Sequence, residues 1–147
     1  MSGWGWLWFW RRKPPLADHL QKGALGENAA RRWLCRQGLK FLTANYRTSR
    51  GEIDLVFRDG ECLVFVEVKT RSSEEWVRPE TAVHAEKRRR LIATAGDYLR
   101  ALRGTIPRCR FDVVEVLIDH HRIREIRHLP NAFPGFPPPK RSRNGLR

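Results

Sequence analysis

Apolar and polar residues alternate along residues 51–71, which is the pattern of β-strands that pack on one face. Asp59-Gly60 divides this stretch into two runs, and an Asp-Gly pair favours a two-residue turn. The sequence therefore predicts a β-hairpin with Asp59 and Gly60 at its turn. The predicted cross-strand pairs are Arg58 with Glu61, Val56 with Leu63, Asp54 with Phe65 and Glu52 with Glu67.

The two faces of this hairpin differ in chemistry. The wholly apolar face carries Ile53, Leu55, Phe57, Cys62, Val64, Val66 and Val68. The other face is apolar near the turn, and at its open end it carries Glu52, Asp54, Glu67 and Lys69. A slip of one residue would bury the charges and expose the apolar residues, so the partition is strongly specified. The pattern predicts carboxylates and an ammonium group converging at one end of a packed hairpin.

Helical periodicity lies on both sides of the hairpin. Helices are predicted at residues 17–37, ending before Gly38, and 79–103; further strands are predicted at 39–47, 110–118 and, as an edge strand, 122–129. This order predicts an α/β sandwich around a central mixed sheet. A crossover through the second helix would let a later strand join the hairpin in parallel.

Both ends of the chain differ from its body. Residues 1–16 are Trp-rich and basic and residues 134–147 are rich in Pro and Arg, so we expect disordered extensions around one domain at 17–133. An alternative for the first segment is peripheral membrane contact through its tryptophans, Trp4, Trp6, Trp8 and Trp10. No apolar run reaches the roughly 18 residues that span a bilayer.

The chain is strongly basic, with 29 Lys and Arg against 16 Asp and Glu and a net charge of +13. A basic surface around an acidic pocket suits a polyanion such as DNA. The basic residues predicted to hold phosphates are Arg47, Arg50, Arg71, Lys87 and Arg88. The three cysteines form no CxxC pair, which indicates neither a zinc site nor a disulfide framework and favours a reducing cytoplasm.

The acidic cluster admits two interpretations. In one, Lys69 and nearby arginines pair with the carboxylates as an ion network. In the other, a divalent cation lies between Asp54 and Glu67, and Lys69 orients or deprotonates an attacking water. Magnesium is bound by one or two carboxylates, keeps several waters and is completed by phosphate oxygens. The local pattern leaves both interpretations open.

Asp54 followed by Glu67-Val68-Lys69 resembles the D…(D/E)xK core of the PD-(D/E)xK nuclease superfamily, which has the restriction-endonuclease-like fold. Further segments extend the resemblance to the YraN family, bacterial members of this superfamily that are similar to archaeal Holliday-junction resolvases. These segments are residues 22–27, 45–47, 51–55, 64–71, 87–91 and 111–114. Together they span about residues 20–133.

The resemblance implies a DNA endonuclease that uses Mg²⁺ or Mn²⁺ and acts on branched or structured DNA. It implies metal ligands at Asp54, Glu67, the Val68 carbonyl and Glu27, with Lys69 assisting the water and Glu52 supporting the site. For Glu27 a helical ion pair with Arg31 is the alternative. A homodimer is a further expectation. The alternative functions are a non-catalytic nucleic-acid-binding module of the same fold and an adaptor that acts through the terminal extensions.

Overall fold

A computed structural model describes residues 15–72 and 83–136, with side chains from residue 18 onward. Its elements are α1 Pro15–Arg36, β1 Lys40–Thr48, β2 Gly51–Asp59, β3 Cys62–Ser72, α2 Ala85–Ala101, β4 Arg108–Asp119 and β5 Arg122–Phe133. The predicted α/β class and element order are confirmed. Most of both predicted extensions, including the four N-terminal tryptophans, lies outside the described residues, as do residues 73–82.

The strands form one mixed sheet in the order β1-β2-β3-β4-β5. β3 and β4 are parallel, whereas the other neighbouring pairs are antiparallel. Parallel neighbours need a crossover connection, and here α2 lies between β3 and β4 in the chain. The predicted crossover and the predicted edge position of β5 are both confirmed.

Each face of the sheet is covered by one helix. Ala30 and Leu34 of α1 pack with Leu55, Val64 and Val66 on one face. On the other face, the α2 residues Leu91, Ala95 and Leu99 pack with sheet residues that include Val56, Phe65 and Phe111. Burying apolar residues on both faces stabilises the sandwich. Within the described part of the chain, no helix is long and apolar enough to cross a membrane.

The predicted register of the hairpin is wrong by two residues. Val56 pairs with Phe65 rather than Leu63, and Asp59 pairs with Cys62, so Gly60 and Glu61 form the turn. Gly60 has a φ of 58°, as the first central residue of a type II′ turn requires. A two-residue shift conserves the alternation of side chains, so the predicted faces are largely retained.

The predicted face of Ile53 needs correction. Ile53 packs with the α2-side cluster, not with Leu55 on the α1 side. The β2–β3 pairing stops at Leu55, and beyond that point β2 no longer follows the regular alternation of the hairpin.

The end of α1 follows a local sequence signal, whereas the start of α2 differs from its prediction. Gly38, predicted to end α1, has a φ of 92°, and the Leu39 amide donates to the Leu34 carbonyl at 3.2 Å. This is the Schellman arrangement that stops a helix. α2 begins at Ala85, later than predicted, after His84 with an extended ψ of 146°.

Candidate active site

Asp54 lies where β2 separates from β3. The last backbone pair between these strands is Leu55 with Val66. Just beyond it, Asp54 Oδ2 accepts a hydrogen bond from the Val68 amide at 2.7 Å. The carboxylate therefore takes the place of a backbone partner and is held against β3. This contact is made by the backbone N–H of Val68. The predicted role of the Val68 carbonyl as a metal ligand stays a prediction.

Glu67 projects from β3 toward α2. Its Oε1 lies 3.2 Å from Lys87 Nζ, and its side chain is only 11% exposed. Its Oε2 is buried and receives no hydrogen bond from a donor within the described residues. A buried carboxylate oxygen without a donor is costly, and this oxygen has capacity for a further ligand.

The two carboxyl groups lie within hydrogen-bonding reach of one another. Burial, followed by the charge of Asp54, raises the pKa of Glu67 to about 7 against the opposing effect of Lys87. Burial also raises the pKa of Asp54, partly offset by the Val68 amide. Two carboxylates this close cannot both ionise without a compensating cation.

Glu27 approaches the site from α1. Burial, and then the charges of Asp54 and Glu52, raise its pKa, while a hydrogen bond from the Asn45 side chain lowers it. The approach depends on Gly26, since a Cβ atom there would overlap Thr70 Oγ1 of β3. The glycine thus allows α1 to come close to the sheet.

Arg31, the predicted alternative partner of Glu27, contacts Phe41. The Arg31 guanidinium lies 3.7 Å from the centre of the Phe41 ring. Glu27 nevertheless stays outside a compact metal cluster. Across residues 18–72 and 83–136, no three His, Cys, Asp or Glu side chains converge as a group that could hold a metal ion.

Lys69 follows Glu67 by two residues and so points to the same face of β3. It is partly exposed, and its register partner on β4 is Glu115. Glu115 is 1% exposed, and neither of its carboxylate oxygens accepts a hydrogen bond from the described residues. A buried acid beside Lys69 is a feature that sequence reasoning did not assign to the site. Its signal was one acid within the apolar run Val113–Ile118.

The predicted phosphate-binding residues divide by exposure. Arg47 is 72% exposed and pairs with Glu52 at 3.0 Å, which gives Glu52 a partner at the rim of the site. Arg50 is 56% exposed and lies 3.7 Å from Asp97. Exposed ion pairs of this kind contribute little to stability, so both guanidinium groups can turn to a ligand.

Two of the other predicted phosphate binders, Arg71 and Arg88, have more internal positions. Arg71 Nε lies 4.0 Å from Glu115 Oε1 and its side chain is 22% exposed. Arg88 donates to the Val83 carbonyl and lies over the Phe133 ring at 5.7 Å. Both contacts hold these arginines to the domain. Lys87 contacts Glu67, a pairing between distant parts of the chain that the sequence pattern did not indicate.

The oxygen atoms of the site are suitable ligands for a hard divalent cation. Asp54 and Glu67 provide two adjacent carboxylates, one with a buried oxygen that lacks a donor. Magnesium is bound in proteins by one or two carboxylates together with waters and substrate phosphates. Asp54 and Glu67 are thus the residues that would hold such an ion, and the predicted role of Glu27 as a further ligand stays a prediction.

A second polar cluster lies on the opposite face of the sheet. Asp112 is fully buried and accepts hydrogen bonds from His128 Nε2 at 2.8 Å, the Asn131 amide at 3.0 Å and Arg110 Nε at 3.1 Å. These donors satisfy the carboxylate and fasten the irregular end of β5 to β4. Asp112 therefore has a structural role.

The family model described as "Uncharacterised protein family UPF0102" matches residues 26–116. The chain belongs to the UPF0102 family. This confirms the resemblance to the YraN family. The matched range includes Glu27, Asp54, Glu67, Lys69 and Lys87.

Several relatives from bacteria carry the same family name. A UPF0102 protein of Pelotomaculum thermopropionicum is 41% identical over 112 residues, 76% of this chain and 93% of the relative. One from Anaeromyxobacter dehalogenans is 45% identical over 77% of this chain and 84% of the relative. One from Solibacter usitatus is 50% identical over 65% and 74%, respectively. The similarity therefore extends over the domain that carries the candidate site.

Proposed function

We propose that this UPF0102 protein is a metal-dependent DNA endonuclease that hydrolyses phosphodiester bonds. The observation that carries the proposal is the pair of adjacent buried carboxylates at the β2–β3 separation. Asp54 is held there by the Val68 amide at 2.7 Å, and Glu67 has a buried oxygen without a donor among the described residues. Lys69 on the same side of β3 provides an ammonium group for the attacking water.

The residues divide the chemistry between them. Mg²⁺ or Mn²⁺ held by Asp54 and Glu67 would polarise the phosphate and stabilise the leaving oxygen. Lys69 orients the water whose oxygen forms the new bond to phosphorus as the bond to the leaving oxygen breaks. The Val68 amide keeps Asp54 in place throughout. Arg47 and Arg50, both largely exposed, hold neighbouring phosphates of the strand.

DNA is the proposed substrate class because the whole chain carries a net charge of +13. Branched or structured DNA is proposed over plain duplex on the resemblance to junction resolvases. A homodimer that cuts two strands belongs to the same proposal.

The decisive test compares cleavage of a labelled four-way junction and a matched linear duplex in Mg²⁺. We expect Asp54→Asn and Lys69→Ala each to lower the cleavage rate by roughly 10²-fold or more, since positioned acid–base groups contribute about that much. Circular dichroism establishes that both variants are folded. If both folded variants cleave as fast as the wild type, Asp54 and Lys69 have no part in the reaction.

A non-catalytic nucleic-acid-binding module is the second candidate. The Lys87–Glu67 contact favours it, because an ammonium group already compensates one of the carboxylates. Calorimetric titration with Mg²⁺ distinguishes the two candidates. An endonuclease binds Mg²⁺ in the wild type and loses binding in Asp54→Asn, whereas the binding module shows no Mg²⁺ binding in either protein, even with DNA present.

A further inference from the structure

Lys87 is the cationic partner of Glu67, with Nζ 3.2 Å from Oε1. The two side chains of this ion pair differ in how tightly the protein holds them. Glu67 is 11% exposed and sits on a strand between two neighbours, whereas Lys87 is 45% exposed in the first turn of α2. A lysine ammonium on a flexible four-carbon stem can reach solvent by a change of rotamer. The carboxylate is therefore fixed and the ammonium group is free to leave.

A divalent cation and an ammonium group compete for the same carboxylate. Asp54 and Glu67 together carry two negative charges when ionised, and a divalent cation neutralises both. Lys87 then has no counterion at the site and is repelled by the bound cation. A phosphate of bound DNA is an anion for which a lysine is a suitable partner.

We infer that Lys87 is an exchangeable counterion of the site. It holds Glu67 in the metal-free protein and transfers to a DNA phosphate when the divalent cation binds. The inference rests on the proposed function, because it needs a cation at Asp54 and Glu67. The positive charge of Lys87 also explains how two adjacent carboxylates can be stable before the divalent cation binds.

Calorimetric Mg²⁺ titration at pH 8.5 tests the exchange by comparing wild type with Lys87→Met. Removing the competing ammonium group should tighten Mg²⁺ binding about three- to tenfold, in line with the loss of a partly buried ion pair. Cleavage of the junction should slow at least tenfold, because the phosphate loses its contact. Arg89→Met removes the same charge from an exposed position of α2 and should leave Mg²⁺ affinity within twofold.

Opposite effects on Mg²⁺ binding and cleavage identify an exchanging lysine, since a merely structural lysine would weaken both. Unchanged or weaker Mg²⁺ binding by folded Lys87→Met overturns the inference while leaving the proposed function intact. If the wild type does not bind Mg²⁺, both the inference about Lys87 and the proposed function are overturned.

Lysine acetylation of the wild-type protein provides a measurement that needs no variant. Mg²⁺ together with a phosphorothioate four-way junction that resists cleavage should protect Lys87, whereas Mg²⁺ alone should increase its modification several-fold as it leaves Glu67. Lys40 is exposed on β1 and is the internal standard, so its modification should not respond to Mg²⁺. Equal modification of Lys87 with and without Mg²⁺ overturns the exchange.

Discussion

At the residue scale, Glu67 is the side chain on which the chemistry of the site depends. It contacts Lys87 of α2, lies beside Asp54, and keeps one oxygen without a donor among the described residues. Burial and the neighbouring charge raise its pKa to about 7. The same residue therefore links proton binding, metal binding and stability.

Protonation of Glu67 predicts a specific dependence of stability on pH. In the unfolded chain this carboxyl has its ordinary pKa near 4.5, and in the folded protein its pKa is about 7. Between these values the folded state keeps a proton that the unfolded state has released. The free energy of unfolding should therefore fall as pH rises from about 4.5 to 7, by about 3 kcal/mol for this residue.

Thermal unfolding of wild type and Glu67→Gln in a chelating buffer, from pH 4.5 to 8.5, measures this contribution. Glu67→Gln should lose the decrease and become more stable relative to wild type above pH 7. Added Mg²⁺ should stabilise the wild type more at pH 8 than at pH 5.5, since the cation binds the ionised carboxylate. A wild-type advantage that grows with pH in the chelator would contradict the raised pKa of Glu67.

At the element scale, the position of α1 relative to β3 depends on one glycine. Gly26 faces Thr70 so closely that a Cβ atom would overlap the threonine hydroxyl, whereas nothing lies within 4 Å of a Cβ at Gly23. Both glycines are inside α1 and carry the same intrinsic cost to the helix. They form a matched pair in which only the tertiary contact differs.

Alanine at these two positions should have opposite effects on the free energy of unfolding. Gly23→Ala should stabilise by about 0.5–1 kcal/mol through helix propensity. Gly26→Ala should destabilise by about 1–3 kcal/mol, because α1 must move away from Thr70. Urea denaturation of the three proteins measures both changes, and stabilisation by both variants would show that α1 does not approach β3 this closely.

At the scale of the whole molecule, 29 Lys and Arg face 16 Asp and Glu, so the basic residues outnumber the acidic residues that could pair with them. Arg47 and Arg50 lie on the chain next to the start of β2, the end of the hairpin that holds the site. Arg58 is exposed near the turn, at the other end of the same hairpin. The molecule thus offers basic residues near the site and a matched one away from it.

DNA affinity measured against salt concentration should distinguish these positions. Arg47→Ala and Arg50→Ala should each lower the salt slope by about one, since each removes one phosphate contact. Arg58→Ala should leave the slope unchanged. Fluorescence anisotropy with a labelled junction in a chelating buffer gives the slopes without cleavage, and an equal change for all three variants would mean that binding follows net charge alone.

The amino-acid sequence by itself determined the element order, the α/β class and the partition of hairpin side chains between two faces. That partition is largely retained although the register shifted by two residues, because strand alternation has a period of two. It also indicated Asp54, Glu67 and Lys69 as candidate site residues, since the motif of the family places these residue types at defined positions along the hairpin.

Other features were decided only by the tertiary structure. Ile53 packs against α2 because β2 pairs with β3 only from Leu55 onward, and no local pattern encodes the separation of the residues before it. Lys87 contacts Glu67, and Gly26 contacts Thr70, because two helices pack on opposite faces of one sheet. Such contacts join residues far apart in the chain, so their partners depend on how the helices pack rather than on periodicity or turn chemistry.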